Sequence, residues 1–178
     1  VEDDDHLNGV SVLAEFPNLI VTRTFSKIYG LAAVRFGYSV SNPTFADLLN
    51  RARQPFNVNS LAMAAVMAAL EDDDYVAQSV ALNRAGMVQM TEGLTGLGYD
   101  YIPSAGNFVA FDCGEPGNDL FQRMLQEGVI VRAIAEYGLP NHVRVSIGLP
   151  AENERFLGVL AKLGANAAAS SEMRVPVS

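Results

Sequence analysis

The sequence predicts an α/β protein in which strands and helices of one layered domain come first and a small α+β domain follows. A short run of apolar, β-branched residues at 18–24 is typical of a strand. Helical patterns fill residues 43–97, and strand patterns alternate with helical segments from Tyr99 onward. We therefore expect part of a larger domain with a linking helix at residues 1–97, a small α+β domain at residues 98–164 and a disordered tail at residues 165–178.

Composition narrows the class of protein. With 49% hydrophobic and 18% charged residues among 178, the chain has the make-up of a globular protein. A single cysteine, Cys113, excludes a disulfide framework and suits a reducing cytoplasm. A net charge of -8 with 12 scattered basic residues argues against a nucleic-acid partner. Because we see no signal peptide and the longest apolar run, 61–70, is far shorter than the ~20 residues of a bilayer span, we expect a cytoplasmic protein without a membrane partner.

The strand at 18–24 leads into a cluster of polar residues. Its apolar character predicts a buried strand, and its end delivers Ser26 and Lys27 to the edge where binding residues of open α/β sheets collect. From Gly30 the chain turns back into a second apolar strand that carries Arg35. We expect Lys27 and Arg35 to face one pocket.

The chemistry of these side chains suggests a cofactor. Burial lowers the pKa of a lysine by up to ~3–5 units, and a neutral amine can form a Schiff base with a carbonyl. Arg35 offers a planar fork for a phosphate, and the hydroxyls of Thr24 and Ser26 are short donors to the same group. These features suggest pyridoxal 5'-phosphate, although an ordinary strand end with a solvated lysine has the same pattern.

Three helices are predicted between the strands and Tyr99. Asn42 caps the first, which ends before Pro55. The second, at 61–70, is apolar on all sides and is expected to be buried. The third, at about 75–97, contains glycines that predict a bend or a frayed turn, and Gly98 is expected to end it.

The small domain is predicted to begin with two strands around the turn PSAG. A helix capped by Asn118 and closed by Gly128 comes next, followed by two further strands. A last helix starts at Pro150 and ends before Gly164. The predicted ranges are 99–103 and 107–112 for the first strands, 119–127 for the helix, 129–134 and 142–148 for the later strands, and 151–163 for the last helix.

Charged and polar residues on these strands are candidate ligands. Arg132 and Arg144 each interrupt an apolar strand, where an unpaired charge is costly unless it meets water or an anion. A solvated strand face and an anion site both remain open on pattern alone. Asn107 either bonds a substrate or closes the turn before it. His6 and His142 lie far apart without companion ligands, so no metal site is expected.

Several segments together carry a family resemblance. The stretch TFSKIYGLAAVRFGY, 24–38, resembles the Schiff-base lysine segment of the fold-type I aminotransferases, and within them of the histidinol-phosphate aminotransferase branch. Further similar segments follow in family order and extend the resemblance over residues 10–163: RQPFNVNSLA (53–62), PSAGNFV (103–109), GVIVR (128–132) and HVRVSIGLPAEN (142–153). The implied fold is the C-terminal part of a fold-type I transferase that depends on pyridoxal phosphate.

The resemblance also implies roles for individual residues. Lys27 would bind the cofactor covalently and carry the proton, with Ser26 and Arg35 on the cofactor phosphate. Arg144 would receive the carboxyl or phosphate end of the substrate, and Arg132 would share the phosphate. The implied reaction is transamination of L-histidinol phosphate with 2-oxoglutarate, glutamate being the product, in a full-length homodimer. A phosphothreonine decarboxylase, an aromatic or aspartate aminotransferase, and a catalytically silent fragment that binds a partner remain alternatives.

The sequence departs from the family pattern at its start. Complete members are considerably longer, and their glycine-containing phosphate loop, ring-stacking aromatic residue, Asn and ring-nitrogen Asp have no match here. The acidic run at 2–5 lacks the apolar strand that presents a buried carboxylate, so a solvated loop is expected there. The chain is therefore expected to hold half of a site and to be inactive alone.

Overall fold

The computed structural model describes residues 7–172, and the side chains of residues 7–164. The acidic run at 2–5, His6 and the last six residues of the predicted tail lie outside that range. The chain divides into two compact units, Val1–Val80 and Ala81–Ser178. This division falls inside the longest helix, whereas the sequence placed the boundary after it, at 97–98.

A two-stranded antiparallel hairpin organises the first unit. Strands β1, Ile20–Thr24, and β2, Gly37–Ser41, pair from Ile20 opposite Ser41 to Thr24 opposite Gly37. In β1 only Val21 is buried, so the prediction of a buried strand is wrong for most of its length. The apolar pattern specifies side chains that suit burial, but within residues 7–172 only Val21 of this strand is closely packed.

Two capped helices follow the hairpin. Helix α1, Pro43–Ala52, starts as predicted, with the Asn42 side chain accepting a hydrogen bond from the backbone N–H of Phe45 at 3.0 Å. Asn59 caps α2, Ser60–Ala69, in the same way. The predicted burial of this second helix is wrong, because Ala62 and Val66 are its buried residues and Leu61 is 80% exposed. A helix that is apolar on every side does not specify which side finds a packing partner.

The third helix, α3, spans Asp73–Gly96 as continuous helix, so the predicted frayed turn is absent from it. Two of its three glycines serve close packing instead. A Cβ at Gly86 would lie 2.4 Å from Ile147 Cγ2, and one at Gly93 would lie 2.4 Å from Leu157 Cδ1. As predicted, the helix stops at Gly98, which has a φ of 80°.

The second unit is a four-stranded antiparallel sheet with helices on one face. Its strand order is β3-β4-β6-β5. The elements after α3 are β3, Tyr101–Ile102; β4, Phe108–Asp112; α4, Gly117–Gln126; β5, Arg132–Ala133; β6, His142–Ser146; and α5, Pro150–Glu172. This α+β arrangement confirms the predicted fold class of the small domain.

Alternation along the central strands separates the two faces of this sheet. The inner face belongs to the buried core, which α3, α4 and α5 complete with Met90, Leu94, Leu120, Met124, Phe156 and Leu160. The strands contribute Val109, Phe111, Val143 and Val145 to that core. The opposite face therefore receives the residues between them, among which is Arg144.

Two helix ends differ from the prediction. Helix α4 begins at Gly117, so Asn118 lies within its first turn and is not the cap. Helix α5 runs through Gly164 to Glu172, so its predicted end before Gly164 is wrong and residues 165–172 are helical rather than disordered. Alanine is the strongest helix former, and the alanine-rich segment 165–169 explains why one glycine does not end the helix.

A buried asparagine fixes the turn between β6 and α5. Asn153 is 2% exposed, and its side chain accepts a hydrogen bond from the N–H of Gly148 at 2.9 Å. It also donates to the side chain of Gln89 on α3 at 3.0 Å. Because buried polar groups are costly without partners, this arrangement ties the end of β6 to α3.

We predict opposite effects of two glycine-to-alanine substitutions on stability. A Cβ at Gly117 would lie 2.5 Å from the carbonyl oxygen of His142, and this backbone oxygen has little freedom to move. Gly117→Ala should therefore lower the free energy of unfolding by roughly 1–3 kcal/mol. Gly158→Ala, on α5, meets no atom within 4 Å and should raise it by up to about 1 kcal/mol. Urea denaturation of both variants tests this, and equal effects would contradict the packing of α4 against β6.

Candidate active site

The first group of candidate residues lies at the closed end of the β1–β2 hairpin. Beyond the last strand pair, Phe25 N–H donates to the carbonyl of Phe36 at 3.2 Å, and Leu31 N–H donates to the carbonyl of Phe25 at 3.0 Å. Ser26 and Arg35 are the next residues on the two sides of this pairing. The hairpin therefore brings them to the same end.

An aromatic cluster anchors this loop. Phe25 is 2% exposed, and its ring centroid lies 4.6 Å from that of Tyr29 and 5.5 Å from that of Phe36. Aromatic pairs at such separations stabilise a fold beyond the area they bury. The polar residues after Phe25 thus start from a fixed backbone position.

Lys27 and the two hydroxyl residues are neighbours in this loop. Ser26 N–H donates to Thr24 Oγ1 at 3.1 Å, which places the two hydroxyl residues side by side. The Lys27 carbonyl accepts from Gly30 N–H at 2.9 Å, while its ammonium bonds to no described residue. Lys27 is exposed, in contrast to the expected buried amine. Its amine is therefore accessible to a carbonyl compound.

Arg35 precedes β2 instead of lying on it, which corrects the sequence prediction. Its φ of 54° places it in the left-handed region, which is uncommon for a residue with a side chain. The guanidinium donates through Nη1 to the carbonyl of Ala32 at 2.9 Å and remains exposed. Such backbone strain is typical of functional sites, where the surrounding structure holds it.

The second group is a row of residues across the outer face of the four-stranded sheet. Arg144 on β6 lies opposite Ala110 of β4 on one side and opposite Arg132 of β5 on the other. Directly opposed residues of an antiparallel pair have Cβ atoms about 4.5–5.5 Å apart. The register therefore sets the two arginines next to each other on one face.

Each arginine of the row has a different partner. The half-buried Arg144 places its guanidinium carbon 5.0 Å from the centroid of the Phe108 ring, within the range of a cation–π interaction. Arg132 is exposed, and its Nη2 donates to Glu136 Oε1 at 2.8 Å. Like charges opposite each other repel, and the Glu136 carboxylate offsets part of that repulsion.

The ion pair keeps both of its members charged. The hydrogen bond to Glu136 raises the pKa of Arg132. The pKa of Glu136 is lowered, first by the hydrogen bond from Arg132 and to a smaller extent by the charge of Arg144. The charges of both arginines thus stabilise the ionised form of Glu136.

Asn107 stands just before β4. Its carbonyl accepts a hydrogen bond from Ile147 N–H at 2.9 Å, which continues the pairing of β4 with β6. The residue itself is exposed. Its backbone therefore has a structural role, and its side chain remains a candidate substrate ligand.

The candidate residues fall into two groups, one in each compact unit. Sequence reasoning found the cationic and hydroxyl residues of both groups and Asn107, but it missed Phe108 and Glu136. Phe108 alternates with Val109 and so shares the outer face with Arg144, while Glu136 follows Arg132 at a spacing of four residues. Both signals were present in the sequence, but neither one identifies its partner without the register of the strands.

Other reactive features of the described residues contribute little to this chemistry. Burial raises the pKa of the Cys113 thiol, and its Sγ lies 3.0 Å from the Asn141 carbonyl, so the thiol is a poor nucleophile at neutral pH. Within residues 7–172 no group of three or more His, Cys, Asp or Glu residues is placed to hold a metal ion. Over the same range, no helix has both the length and the apolar character needed to cross a membrane.

Comparison with known proteins identifies the family of this chain. The family model for aminotransferase class I and II matches residues 2–160. Histidinol-phosphate aminotransferase 2 of Pseudomonas fluorescens strain Pf-5 is 60% identical over 166 residues, which are 93% of this chain and 45% of the relative. The histidinol-phosphate aminotransferase of Methylobacillus flagellatus is 58% identical over 153 residues, 86% of this chain and 41% of the relative.

A solved structure extends the similarity to the fold. The histidinol-phosphate aminotransferase of Sinorhizobium meliloti, crystallised in complex with pyridoxal-5'-phosphate, has a TM-score of 0.82 and 30% sequence identity. The match covers 93% of this chain and 46% of that one. The chain thus spans about half the length of the curated relatives it matches. It belongs to the class I and II aminotransferases, a family that depends on pyridoxal phosphate.

Proposed function

We propose that this chain is the C-terminal part of a histidinol-phosphate aminotransferase. The enzyme would move an amino group between L-histidinol phosphate and 2-oxoglutarate, in the cytoplasm and as a homodimer. The observation that carries the proposal is the pairing of Arg132 with Arg144 on one face of the sheet, since two adjacent guanidinium groups suit a phosphate dianion. The similarity to histidinol-phosphate aminotransferases supports the same substrate.

The residues at the closed end of the hairpin fit pyridoxal phosphate. They combine an accessible amine at Lys27, the adjacent hydroxyls of Thr24 and Ser26, and the guanidinium of Arg35. In the proposal Lys27 holds the aldehyde carbon covalently, while the hydroxyls and Arg35 bind the phosphate by charge-assisted hydrogen bonds. When bound, the cofactor supplies a ring that stores the electron pair of the substrate carbon.

Lys27 has a second task in the proposed reaction. After the substrate amine displaces Lys27, its Nζ would be available to move a proton. It would take the proton from the amine-bearing carbon of the substrate and deliver it to the former aldehyde carbon of the cofactor, first as a general base and then as a general acid. This proton transfer needs an Nζ that no ion pair or hydrogen bond holds. Among the described residues, Lys27 has no such side-chain partner that would have to be displaced first.

The arginine row, which is the cross-strand pair of Arg132 and Arg144, would orient the substrate. Arg144 is half-buried and held over Phe108, so it loses less side-chain freedom on binding than a fully mobile arginine. Arg132, which is exposed and paired with Glu136, would complete the phosphate contact. Glutamate would use the same arginines through its side-chain carboxylate, which carries one negative charge where the phosphate carries up to two. Asn107 is proposed as a further substrate ligand at the end of β4.

A decarboxylase acting on a phosphorylated amino acid is the closest alternative. The arginine row recognises a phosphate group regardless of which bond is cleaved at the amine-bearing carbon. The two reactions differ in their products, since a decarboxylase releases carbon dioxide and a transaminase converts 2-oxoglutarate to glutamate. Incubation of the full-length enzyme with L-histidinol phosphate and 2-oxoglutarate, followed by measurement of glutamate, tests the proposal directly. Carbon dioxide from phosphothreonine without glutamate formation would favour the alternative.

The proposed function leads to three predictions, and the first of these concerns the attachment of the cofactor. Lys27→Ala in the full-length enzyme should abolish the covalent pyridoxal adduct that borohydride reduction leaves on the protein, because no other amine occupies the hairpin loop. Peptide mapping by mass spectrometry locates the adduct. Lys162→Ala is the matched control, since Lys162 is bound to Glu127 at 2.8 Å and should leave the adduct intact. An adduct that persists in Lys27→Ala would contradict the assignment.

The second prediction concerns the amino donors. Arg144→Ala should reduce the specificity constant for both L-histidinol phosphate and glutamate, by roughly 30- to 150-fold, because it removes a charged hydrogen bond from each complex. Arg132→Ala should reduce the constant for the phosphorylated donor more than that for glutamate. Steady-state kinetics with each donor gives both values. Small and equal losses in Arg132→Ala would place Arg132 on a merely solvated strand face.

The third prediction concerns the 178-residue chain alone. It should bind pyridoxal phosphate weakly and show no transamination, since it spans about half the length of its relatives and the resemblance places the ring-nitrogen carboxylate outside it. Absorbance of the bound cofactor and glutamate formation are the measurements. Sustained turnover by a preparation of verified intact mass would refute this expectation.

A further inference from the structure

Glu136 stands where an anionic substrate group would bind in the proposed function. A short 3-10 helix, Ala135–Tyr137, follows β5 and returns the carboxylate to the guanidinium of Arg132. The contact is 2.8 Å long, and the two side chains are 54% and 50% exposed. An ion pair with this much exposure is screened by solvent and opens readily.

The fold of this turn is secured without the ion pair. Tyr137 N–H bonds the carbonyl of Ile134 at 3.1 Å, and Gly138 N–H bonds that of Ala135 at 3.0 Å. Gly138 adopts a φ of 78° to end the turn, and Ile134 N–H bonds the carbonyl of His142 at 3.2 Å. The side chain of Glu136 is therefore available for a role other than holding the loop.

We propose that Glu136 is a specificity-determining residue, an internal carboxylate that competes with the anionic end of the amino donor for Arg132 and limits the preference for a phosphate dianion. This inference rests on the proposed function. In the free enzyme Glu136 occupies Arg132, and a donor must displace it. In the complex its charge still lies near both arginines and reduces their attraction for the bound anion.

The charges explain why this affects the two donors unequally. Two arginines and one carboxylate leave the row with a single net positive charge, and removal of the carboxylate leaves two. Coulomb attraction is proportional to the product of the charges, so the gain is about twice as large for a dianion as for a monoanion. The influence of Arg144 on the pKa of Glu136 agrees with a carboxylate placed in the field of both arginines. Glu136 thus allows one pair of arginines to serve a phosphate and a carboxylate in the same cycle.

The test is Glu136→Gln in the full-length enzyme, with inorganic phosphate as a probe of the arginine row. The dissociation constant of inorganic phosphate, measured as competitive inhibition against the amino donor and by calorimetry on the protein, should fall about three- to tenfold. KM for L-histidinol phosphate should fall more than KM for glutamate, and the ratio of the two specificity constants should rise about threefold. Glu136→Asp keeps the charge and should return this ratio to within twofold of the wild-type value.

Glu154→Gln is the control for net charge. Glu154 lies exposed on α5, which packs against the inner face of the sheet, and its substitution changes the net charge by the same single unit as Glu136→Gln. It should leave phosphate affinity and the donor ratio unchanged. Equal effects of Glu154→Gln and Glu136→Gln, or no change of the donor ratio in Glu136→Gln, would overturn the inference.

The same measurements separate failure of this inference from failure of the proposed function. If the wild-type enzyme forms glutamate from L-histidinol phosphate and 2-oxoglutarate but Glu136→Gln behaves like wild type, only the inference about Glu136 is wrong. If the wild-type enzyme forms no glutamate, the proposed function is wrong. In that case a lower dissociation constant for inorganic phosphate in Glu136→Gln than in Glu154→Gln would still show that Glu136 competes for the arginines.

Discussion

The pairing of β6 with β4 on one side and with β5 on the other decides which residues of the second unit are buried and which can meet a ligand. Val143 and Val145 enter the core, and Arg144 between them must emerge on the opposite face. The same register sets Arg132 beside Arg144. A slip by one residue would bury the arginine and expose both valines, so the large cost of an uncompensated buried charge maintains the register. The core and the adjacency of the two arginines, which form the proposed anion site, are thus two consequences of one alignment.

Close approach of the helices maintains that alignment. Gly117 lets the start of α4 touch the backbone of His142 at the beginning of β6, while Gly86 and the buried Asn153 fix the turn after its end. The strand is therefore held at its start by a glycine that leaves no room for a Cβ and beyond its end by the hydrogen bonds of Asn153. Arg144 gains a defined position from these contacts even though none of them involves the arginine itself. Pre-organisation of this kind reduces the entropy that a ligand must overcome.

Local signals in the sequence predicted much of the secondary structure. The cap at Asn42 and the stop at Gly98 depend on interactions within a few residues, and the structure confirms both. The errors arose where distant contacts or competing propensities decide. The apolar helix α2 was expected to be buried, and α5 was expected to end at a glycine that its alanine-rich continuation overrides.

The candidate site was predicted to a different extent in its two groups. The resemblance identified Lys27, Ser26, Arg35, Arg132 and Arg144 as candidates, but it did not reveal their geometry. The left-handed backbone of Arg35 and the exposure of Lys27 appear only in the folded hairpin. Glu136 was overlooked because a lone glutamate after a strand usually belongs to a solvated loop. Its proposed role depends on Arg132 and Arg144 being cross-strand neighbours, and this pairing is set by contacts between residues distant in the sequence.

In the proposed function the enzyme alternates between two amino donors, so one pair of arginines must bind both a phosphate and a carboxylate. If the pocket bound the phosphate of one donor very tightly, the binding energy would stabilise the ground state and the transition state alike and would not speed the reaction. The tightly bound molecule would also block the other donor from the second half-reaction. Two arginines without a counter-charge favour the dianion strongly. In the proposal, the solvent-exposed carboxylate that is hydrogen-bonded to Arg132 weakens that preference without removing either cation, because it yields its hydrogen bond to the anion while its charge stays nearby. The solvent exposure of the Arg132–Glu136 pair makes it a poor contributor to stability, and the same exposure suits it to this role.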